Sequence, residues 1–302
     1  MQQYIDLVKD ILENGELHEN RTGVDTIRVW GRSINHDLRD GFPLLTTKKM
    51  AVKTSFVEIL GFMRGMIDIG WYQDRGCKIW NANHEDWHGK QLEKDKRKLK
   101  EYHEGGLKAL GHHEVQKLEE SITFRQNYPH SLGFVYGYQW RNMNGFDQLS
   151  YIVDQVKNRS NSRRLIMSGW NPSQAHMMCL PPCHILYHFA VRDEYLDVAM
   201  TQRSCDTGLG VPFNLANTAL MCHLIAHCAG LKPGKMAWTG NDVHIYANHV
   251  DQLKEQIKRK PYQLPKLVIK NQDIKNPWDF EFEDFEITSY EHHPRIKMDM
   301  AV

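Results

Sequence analysis

Apolar residues near the N-terminus recur every three or four positions from Tyr4 to Leu12, which predicts a helix that Gly15 can end. Further apolar stretches at helical spacing predict helices at 52–63, 145–156, 212–230 and 244–258. Short runs rich in β-branched and aromatic residues predict strands at 26–31, 165–170, 184–191, 196–202, 267–270 and 285–290. Because strands and helices do not alternate regularly, the pattern favours an α+β fold.

One segment departs from this pattern. Residues 90–120 carry mixed charge and few large apolar side chains, which is typical of an exposed and partly helical decoration. We therefore expect one domain over residues 1–302, with a surface insertion at about 88–125. No internal repeat divides the chain.

The composition narrows the class of protein. Of the 302 residues, 41% are hydrophobic and 25% are charged, which is typical of a globular domain. The net charge of +1 indicates no general polyanion surface, so we expect no requirement for nucleic acid, and phosphate binding needs a local cluster of cations. The N-terminus lacks a secretory leader and no stretch can span a bilayer, so we expect a cytoplasmic protein without a membrane partner. The six cysteines are then not expected to form disulfides.

Cys183, in the string LPPCH, is a candidate nucleophile. A single cysteine is more often a small buried apolar residue. However, arginines at Arg163, Arg164 and Arg203 offer planar donors that suit an anionic substrate, and nearby cations favour the reactive thiolate. Taken without a family context, such arginines are usually only solvated.

A metal site is the competing interpretation. His223 and His227 stand four residues apart beside Cys222 and Cys228, a spacing that can place two histidines on one zinc ion. The surrounding residues are those of an apolar helix, so an ordinary core helix is the better interpretation and we expect no metal. No glycine-rich phosphate or dinucleotide motif occurs.

Several longer strings occur together in one order. They are NRTGVDT, PLLTTKK, KIWNAN, VYGYQWR, SRRLIMSGWNP, LPPCH, QRSCDTGLGVPFNLA, DVHIYANH and HPRIKMDMAV. In content and order they resemble the thymidylate synthase family, and the resemblance covers nearly the whole chain outside 90–120. It implies one α+β domain with a large mixed sheet that packs on the sheet of a second copy. It also implies dUMP as substrate and 5,10-methylenetetrahydrofolate as co-substrate.

The resemblance also implies roles for individual residues. Cys183 resembles the nucleophile that attacks C6 of the pyrimidine, Glu58 the carboxylate that manages proton transfer, and Tyr136 the tyrosine linked to proton removal from C5. The implied catalytic set is Cys183, Glu58, Tyr136, Asn214, Arg203 and Asp206. The implied dUMP-binding set is Arg21, Arg163, Arg164, Arg203, Ser204, Asn214, His244, Tyr246 and His184, with Arg163 and Arg164 donated by the partner copy. The implied folate-binding set is Lys48, Ile79, Trp80, Asn83, Asp206, Leu209, Gly210, Phe213, Ala301 and Val302.

Asn214 has a physical meaning of its own. Uracil presents an N–H donor at N3 beside an acceptor at O4, and a carboxamide can pair with both. Cytosine presents the reverse pattern, which an aspartate suits better. Asn214 therefore favours dUMP over dCMP, although without the family context a helix-capping role would be equally reasonable.

Departures from the family pattern near the expected site include Asn217, in the run that follows PFN, and four positions at which side-chain bulk or packing changes: Gly61, Phe134, Thr201 and Thr218. After one-carbon transfer, the family forms a methylene group on C5 that hydride normally reduces to methyl. If the changed bulk at these four positions admitted an ordered water, water would attack this carbon in place of hydride, and the product would be hydroxymethyl-dUMP. The terminal MAV and Trp80 favour exclusion of water and a methyl product. We expect methylation, with hydroxymethylation as the alternative and a catalytically silent nucleotide- or RNA-binding homologue as a third.

Overall fold

A computed structural model describes residues 1–20, 23–105 and 111–299. The predicted roles of Arg21, Ala301 and Val302 lie outside the described residues. Within the described ranges, no helix is long and apolar enough to cross a membrane.

A six-stranded mixed sheet forms the centre of the molecule, in the order β1-β2-β6-β5-β4-β3. Its strands are β1 (Glu16–His18), β2 (Thr26–Asp37), β3 (Ile166–Ser168), β4 (His184–Arg192), β5 (Tyr195–Asp206) and β6 (Lys232–Tyr246). β5 and β6 pair in parallel, while the other neighbours pair antiparallel. A separate antiparallel pair joins β7 (Lys266–Ile269) to β8 (Phe285–Thr288). The predicted α+β fold with a large mixed sheet is confirmed.

Helices pack around this sheet. They are α1 (Gln2–Asn14), α2 (Val52–Arg64), α3 (Ile69–Asp74), α4 (Asn81–Asp86), α5 (Leu92–His103), α6 (His112–Asn127), α7 (Tyr136–Asn142), α8 (Gln148–Lys157), α9 (Gly210–Cys228) and α10 (Val250–Gln256). α9 provides the crossover that a parallel β5–β6 pair requires. It is apolar on nearly all sides, and most of its residues are buried, as expected for a helix inside the core.

The prediction of a helix over 244–258 is wrong in its first half. His244 and Tyr246 lie at the end of β6, and α10 begins only at Val250. β6 was missed because Gly240, Asn241 and Asp242 interrupt its sequence pattern. Pairing with β2 on one side and β5 on the other holds it extended despite the low strand propensity of those residues.

The charged segment forms two helices, α5 and α6, that contact each other. Arg125 of α6 is fully buried and donates hydrogen bonds to the Asp95 carboxylate of α5 at 2.6 Å and to the Trp87 carbonyl at 3.0 Å. This paired internal charge joins the two helices to the body of the protein. That the segment is an insertion into a single domain remains a prediction.

Candidate active site

A cleft of about 960 Å³ lies where β4, β5 and β6 face α2, α7 and the start of α9. Its volume is at the upper end of the range for small-molecule sites, about 300–1,000 Å³. Most of the residues singled out from the sequence line it. They are Glu58, Ile79, Trp80, Asn83, Tyr136, Cys183, His184, Arg203, Ser204, Asp206, Gly210, Phe213, Asn214, His244 and Tyr246.

Cys183 stands immediately before β4 and is partly exposed to this cleft. Its backbone N–H donates to the Tyr136 hydroxyl at 2.6 Å, and its carbonyl accepts from the backbone N–H of Arg203 at 2.9 Å. All six cysteines lie in the described part of the chain, and none of them forms a disulfide. Two elements, α7 and β5, therefore fix the backbone that carries the sulfur.

The Arg203 side chain lies against the turn that precedes Cys183. Its Nε donates to the Pro182 carbonyl and one terminal nitrogen donates to the Pro181 carbonyl, both at 2.8 Å. The guanidinium also lies 5.4 Å from the Trp170 ring centroid. A guanidinium has five N–H groups, so donors remain for an anion in the cleft. The same contacts hold this cation close to the thiol.

Asn214, in the first turns of α9, is oriented by a chain of side chains. Trp238 Nε1 donates to the Gln202 carbonyl oxygen at 2.9 Å, and Gln202 Nε2 donates to Asn214 Oδ1 at 2.9 Å. These bonds fix which end of the Asn214 amide is oxygen. The amide also makes a hydrogen bond with His184, and its remaining N–H can donate to an acceptor of a ligand.

His184 packs behind Asn214. Burial lowers its pKa to about 4, although a hydrogen bond with Asn214 acts in the opposite direction. The ring is therefore neutral at physiological pH, and its Nδ1 lies 3.2 Å from the Tyr187 hydroxyl. A neutral imidazole here adds dipoles to the site without adding charge.

Glu58 is the buried acid of the opposite wall and is only 8% exposed. Burial raises its pKa to about 7, against the opposing effect of two hydrogen bonds. Trp80 Nε1 donates to Oε1 at 3.0 Å, and Asn217 Nδ2 donates to Oε2 at 3.3 Å. A carboxyl group with a pKa near 7 can both give and take a proton at physiological pH.

His244 and Tyr246 project from the end of β6, with ring centroids 5.3 Å apart. His244 Nδ1 lies 2.9 Å from the Asp242 carboxylate, whose other oxygen accepts from Arg28 at 3.2 Å. The hydrogen bond with His244 is the largest cause of a lowered pKa at Asp242, which keeps this carboxylate ionised. The cleft therefore has a cation–carboxylate group, Arg28 with Asp242, one strand away from Arg203.

Asp206 lies at the end of β5 and shapes the entry to α9. Its Oδ1 accepts from the backbone N–H groups of Gly208 at 3.0 Å and Leu209 at 3.2 Å. Lys48 lies beneath this turn, 5% exposed, and donates to the Gly208 carbonyl at 2.7 Å. Burial lowers the pKa of Lys48 to about 8. This lysine braces the turn.

Some predicted residues do not reach the cleft. Within the described residues, Lys48 and Leu209 are absent from its lining, and Arg163 and Arg164 are exposed on the loop before the edge strand β3. Gln202, Asn217 and Arg28 were not predicted as site residues. Gln202 begins the string QRSCDTGLGVPFNLA and Asn217 departs from the family pattern, so the sequence contained a signal for both. Arg28 carried none, because its importance depends on which side chains the fold places beside it.

The four departures from the family pattern do not line the cleft. A Cβ at Gly61 would stand 2.4 Å from the Tyr72 ring, so that ring already occupies the space beside Gly61. Thr218 is 1% exposed and donates to the Asn214 carbonyl at 2.8 Å, while Phe134 stacks on Tyr138 with centroids 4.2 Å apart. The expectation that lost bulk at Gly61 leaves room for water is therefore not supported by the packing.

The histidine pair considered as a metal site lies inside a packed helix. His223 Nδ1 is 2.8 Å from the Ala219 carbonyl, and the His227 ring packs on Phe280 with centroids 5.8 Å apart. In the part of the chain that the structure describes, no group of three or more potential ligands could hold a metal ion.

The whole chain is similar to known proteins. A family model described as Thymidylate synthase matches residues 2–302. The protein named "Thymidylate synthase" of Malacoplasma penetrans is 42% identical over 307 residues, and those of Mycoplasma mobile and Mycoplasma pneumoniae are each 41% identical over 302 residues. Each alignment covers 100% of both chains. This chain belongs to the thymidylate synthase family.

Proposed function

We propose that this protein converts dUMP to dTMP, with 5,10-methylenetetrahydrofolate as the donor of both the one-carbon unit and the hydride. The observation that carries the proposal is the meeting of Cys183, Arg203, Asn214 and Glu58 in one cleft. A nucleophile, an anion-binding cation, a carboxamide and a buried acid are the groups that attack on a nucleotide's pyrimidine ring requires.

In this proposal the Cys183 thiolate bonds to C6 of the uracil ring, and C5 becomes nucleophilic. C5 then bonds to the one-carbon unit. Loss of the C5 proton breaks the bond between that carbon and the folate nitrogen, which leaves an exocyclic methylene on C5 and tetrahydrofolate. The cysteine sulfur leaves C6 when this methylene is reduced. Hydride transfer from the folate completes the methyl group as dihydrofolate forms. The Arg203 guanidinium, held within the cleft wall, supports the ionised thiol and the phosphate together.

Substrate recognition follows from the fixed amide of Asn214. Asn214 Oδ1 accepts the N3–H of uracil, which replaces the present hydrogen bond with His184, and the Asn214 N–H donates to O4. Arg203 and Ser204 bind the phosphate, while His244 and Tyr246 meet the deoxyribose hydroxyl. The Gln202 bond to Asn214 Oδ1 supports this assignment, because rotation of the amide to read cytosine would break that bond.

Proton transfer is the role we assign to Glu58 and Tyr136. A pKa of about 7 lets Glu58 exchange a proton near O4 and C5 at physiological pH. Burial raises the pKa of Tyr136 well above its usual value, so its hydroxyl keeps its proton. Tyr136 therefore acts as a hydrogen-bonding group beside the Cys183 amide, and a water that it holds can take the C5 proton.

The folate is assigned to the aromatic end of the cleft. Trp80, Phe213 and Ile79 offer apolar surface for a flat ring, and Asn83 and Asp206 offer polar groups at its edges. Trp80 is 4% exposed and stands between this end and Glu58, which helps to exclude water. Tyr72 fills the space beside Gly61. We therefore favour a methyl product over the hydroxymethyl alternative.

A homodimer is part of the proposal, with Arg163 and Arg164 reaching the phosphate of the partner's site. A depression of about 440 Å³ crosses the four central strands and shares no residue with the cleft. His188, at its wall, has a buried Nε2 with no hydrogen-bond partner in the described chain. A second copy on this part of the sheet would cover that surface.

Turnover is tested with dUMP and methylenetetrahydrofolate by following dihydrofolate absorbance and the mass of the nucleotide product. We expect a methyl mass gain in equal amount to dihydrofolate, and none with Cys183→Ala. A hydroxymethyl mass gain without dihydrofolate would replace this proposal with the hydroxymethylase. Binding of dUMP without any turnover would indicate a silent homologue.

A further inference from the structure

Besides Trp80, a polar side chain of α9 contacts Glu58. Asn217 is fully buried, and its Nδ2 donates to Glu58 Oε2 at 3.3 Å. The other end of the amide, Oδ1, accepts a hydrogen bond from Ser55 Oγ at 2.6 Å. Ser55 is itself 1% exposed and lies on α2, one turn before Glu58. Three buried polar groups thus form a chain that ends on the acid.

We propose that Asn217, held by Ser55, is a positioning residue that sets the proton affinity and the orientation of Glu58. The inference rests on the proposed function, since it assigns Glu58 to proton transfer. Neither Asn217 nor Ser55 lines the cleft in the described structure, so neither acts on the substrate directly.

The chemistry of the amide gives the direction of the effect. An N–H that points at a carboxylate oxygen stabilises the ionised form and opposes the protonated form. Because Ser55 donates to Oδ1, the end of Asn217 left for Glu58 is the donor end. Without Ser55, the amide could rotate and present its oxygen, which would favour a protonated Glu58.

The two donors also decide where a proton can be held. Trp80 occupies a lone pair on Oε1 and Asn217 occupies one on Oε2. Each carboxylate oxygen has two lone pairs, so an incoming proton must use one that these donors leave free. Glu58 reaches the cleft with the small part of its side chain that is exposed. The arrangement therefore directs the proton toward the substrate side.

The test is the pH dependence of kcat/KM for dUMP in Asn217→Leu, which keeps the approximate volume and removes the donor. Loss of one hydrogen bond to a charged group should move the inflection due to Glu58 upward by about one pH unit. We expect kcat to fall while KM for dUMP changes little. Ser55→Ala should move the inflection in the same direction by a smaller amount. Met221→Leu, one turn further along α9 and also buried, is the packing control and should leave the inflection in place.

A second readout does not depend on turnover. Infrared difference titration of the carboxyl stretch, wild type against Glu58→Gln, reports the pKa of Glu58 directly. An upward shift in Asn217→Leu and Ser55→Ala supports the inference even if the protein does not methylate dUMP. Active variants whose activity falls equally at all pH values, with an unmoved Glu58 pKa, would overturn it while leaving the proposed function intact. If Asn217→Leu fails to fold, Ser55→Ala, which removes only an oxygen, decides the question by the same two results.

Discussion

The strand side and the helix side of the cleft are built in different ways. The strand side carries Arg203 and His244, and Asn214 at the start of α9 is held to it by Gln202 of β5. Hydrogen bonds to carbonyl, amide and carboxylate partners fix the orientation of these three polar groups. On the helix side, Glu58 lies among aromatic rings with few polar neighbours, and burial raises its pKa. The strand side offers fixed dipoles to a ligand, whereas the helix side changes the proton affinity of one group.

The difference shows that one cleft can combine recognition and proton transfer because its two sides have different solvation. Fixed donors and acceptors discriminate between ligands because an unmatched buried group is costly. A dehydrated acid gains a useful pKa only where few dipoles stabilise its charge. We therefore expect substitutions on the strand side to change substrate selection and binding, and substitutions on the helix side to change the pH dependence of stability and activity.

The largest effect is expected where the two sides meet, at Cys183. Cys183→Ala removes the nucleophile and should lower kcat by at least about 10⁴-fold, as in other enzymes that lose a covalent nucleophile. Steady-state assay of dihydrofolate formation measures this. Cys228→Ala, at the far end of α9, should stay within about threefold of wild type. Retained turnover in Cys183→Ala would show that the covalent mechanism is wrong.

Asn214→Asp tests recognition on the strand side. The change keeps the oxygen that accepts from Gln202 but removes the N–H that pairs with O4. We expect the ratio of kcat/KM for dUMP to that for dCMP to fall by about 10³-fold. Competition between the two nucleotides measures the ratio. An unchanged ratio would mean that another group reads the pyrimidine.

Arg203→Lys tests the fixed cation of the same side. Lysine cannot reproduce two forked bonds to the Pro181 and Pro182 carbonyls while also binding phosphate. Loss of one charge-assisted bond should raise KM for dUMP about 30-fold, with a smaller change in kcat. Arg192→Lys, at the exposed pair with Asp197, is the control and should leave KM unchanged. Equal values of KM in the two variants would show that Arg203 does not bind the phosphate.

Glu58→Gln tests dehydration on the helix side through stability. A native pKa near 7, above the ordinary 4.5, means that the folded protein binds more protons than the unfolded chain between these values. The free energy of unfolding of the wild type should therefore fall as pH rises through this window. Glutamine does not titrate, but it can accept only one of the two donated bonds.

The net expectation for Glu58→Gln is a gain of about 2 kcal/mol at pH 8 and a loss of about 1 kcal/mol at pH 4, because the raised pKa acts only at the higher pH and the lost hydrogen bond acts at both. Chemical denaturation at both pH values measures it, with exposed Glu13→Gln as a control that should show no pH-dependent difference. A variant that is less stable than wild type at pH 8 would show that burial of the ionised Glu58 carboxylate destabilises the folded protein only slightly. Activity should fall in Glu58→Gln even as stability rises, which is expected where an enzyme maintains a destabilised acid.

On both sides of the cleft, the sequence predicted contiguous elements better than contacts between distant ones. Cys183, Arg203 and Asn214 lie in contiguous strings, and α2, β4, β5 and α9 were predicted with bounds close to those observed. The contacts of Asn217 with Glu58 and of Tyr72 with Gly61 escaped prediction because they join separate helices, and side-chain contacts of that kind leave no local pattern. β6 escaped because its partners, not its residues, hold it extended.

The pairing of β2 with β6 has a consequence for the order in which the protein is made. Thr26 pairs with Tyr246, so β2 cannot pair with β6 until most of the chain has left the ribosome. Contacts so distant in sequence are slow to form. Until then the cleft lacks the strand that carries His244, and β2 has an open edge on which a second nascent chain could pair. Shielding by chaperones should therefore matter most late in synthesis, when nearly complete chains still lack β6.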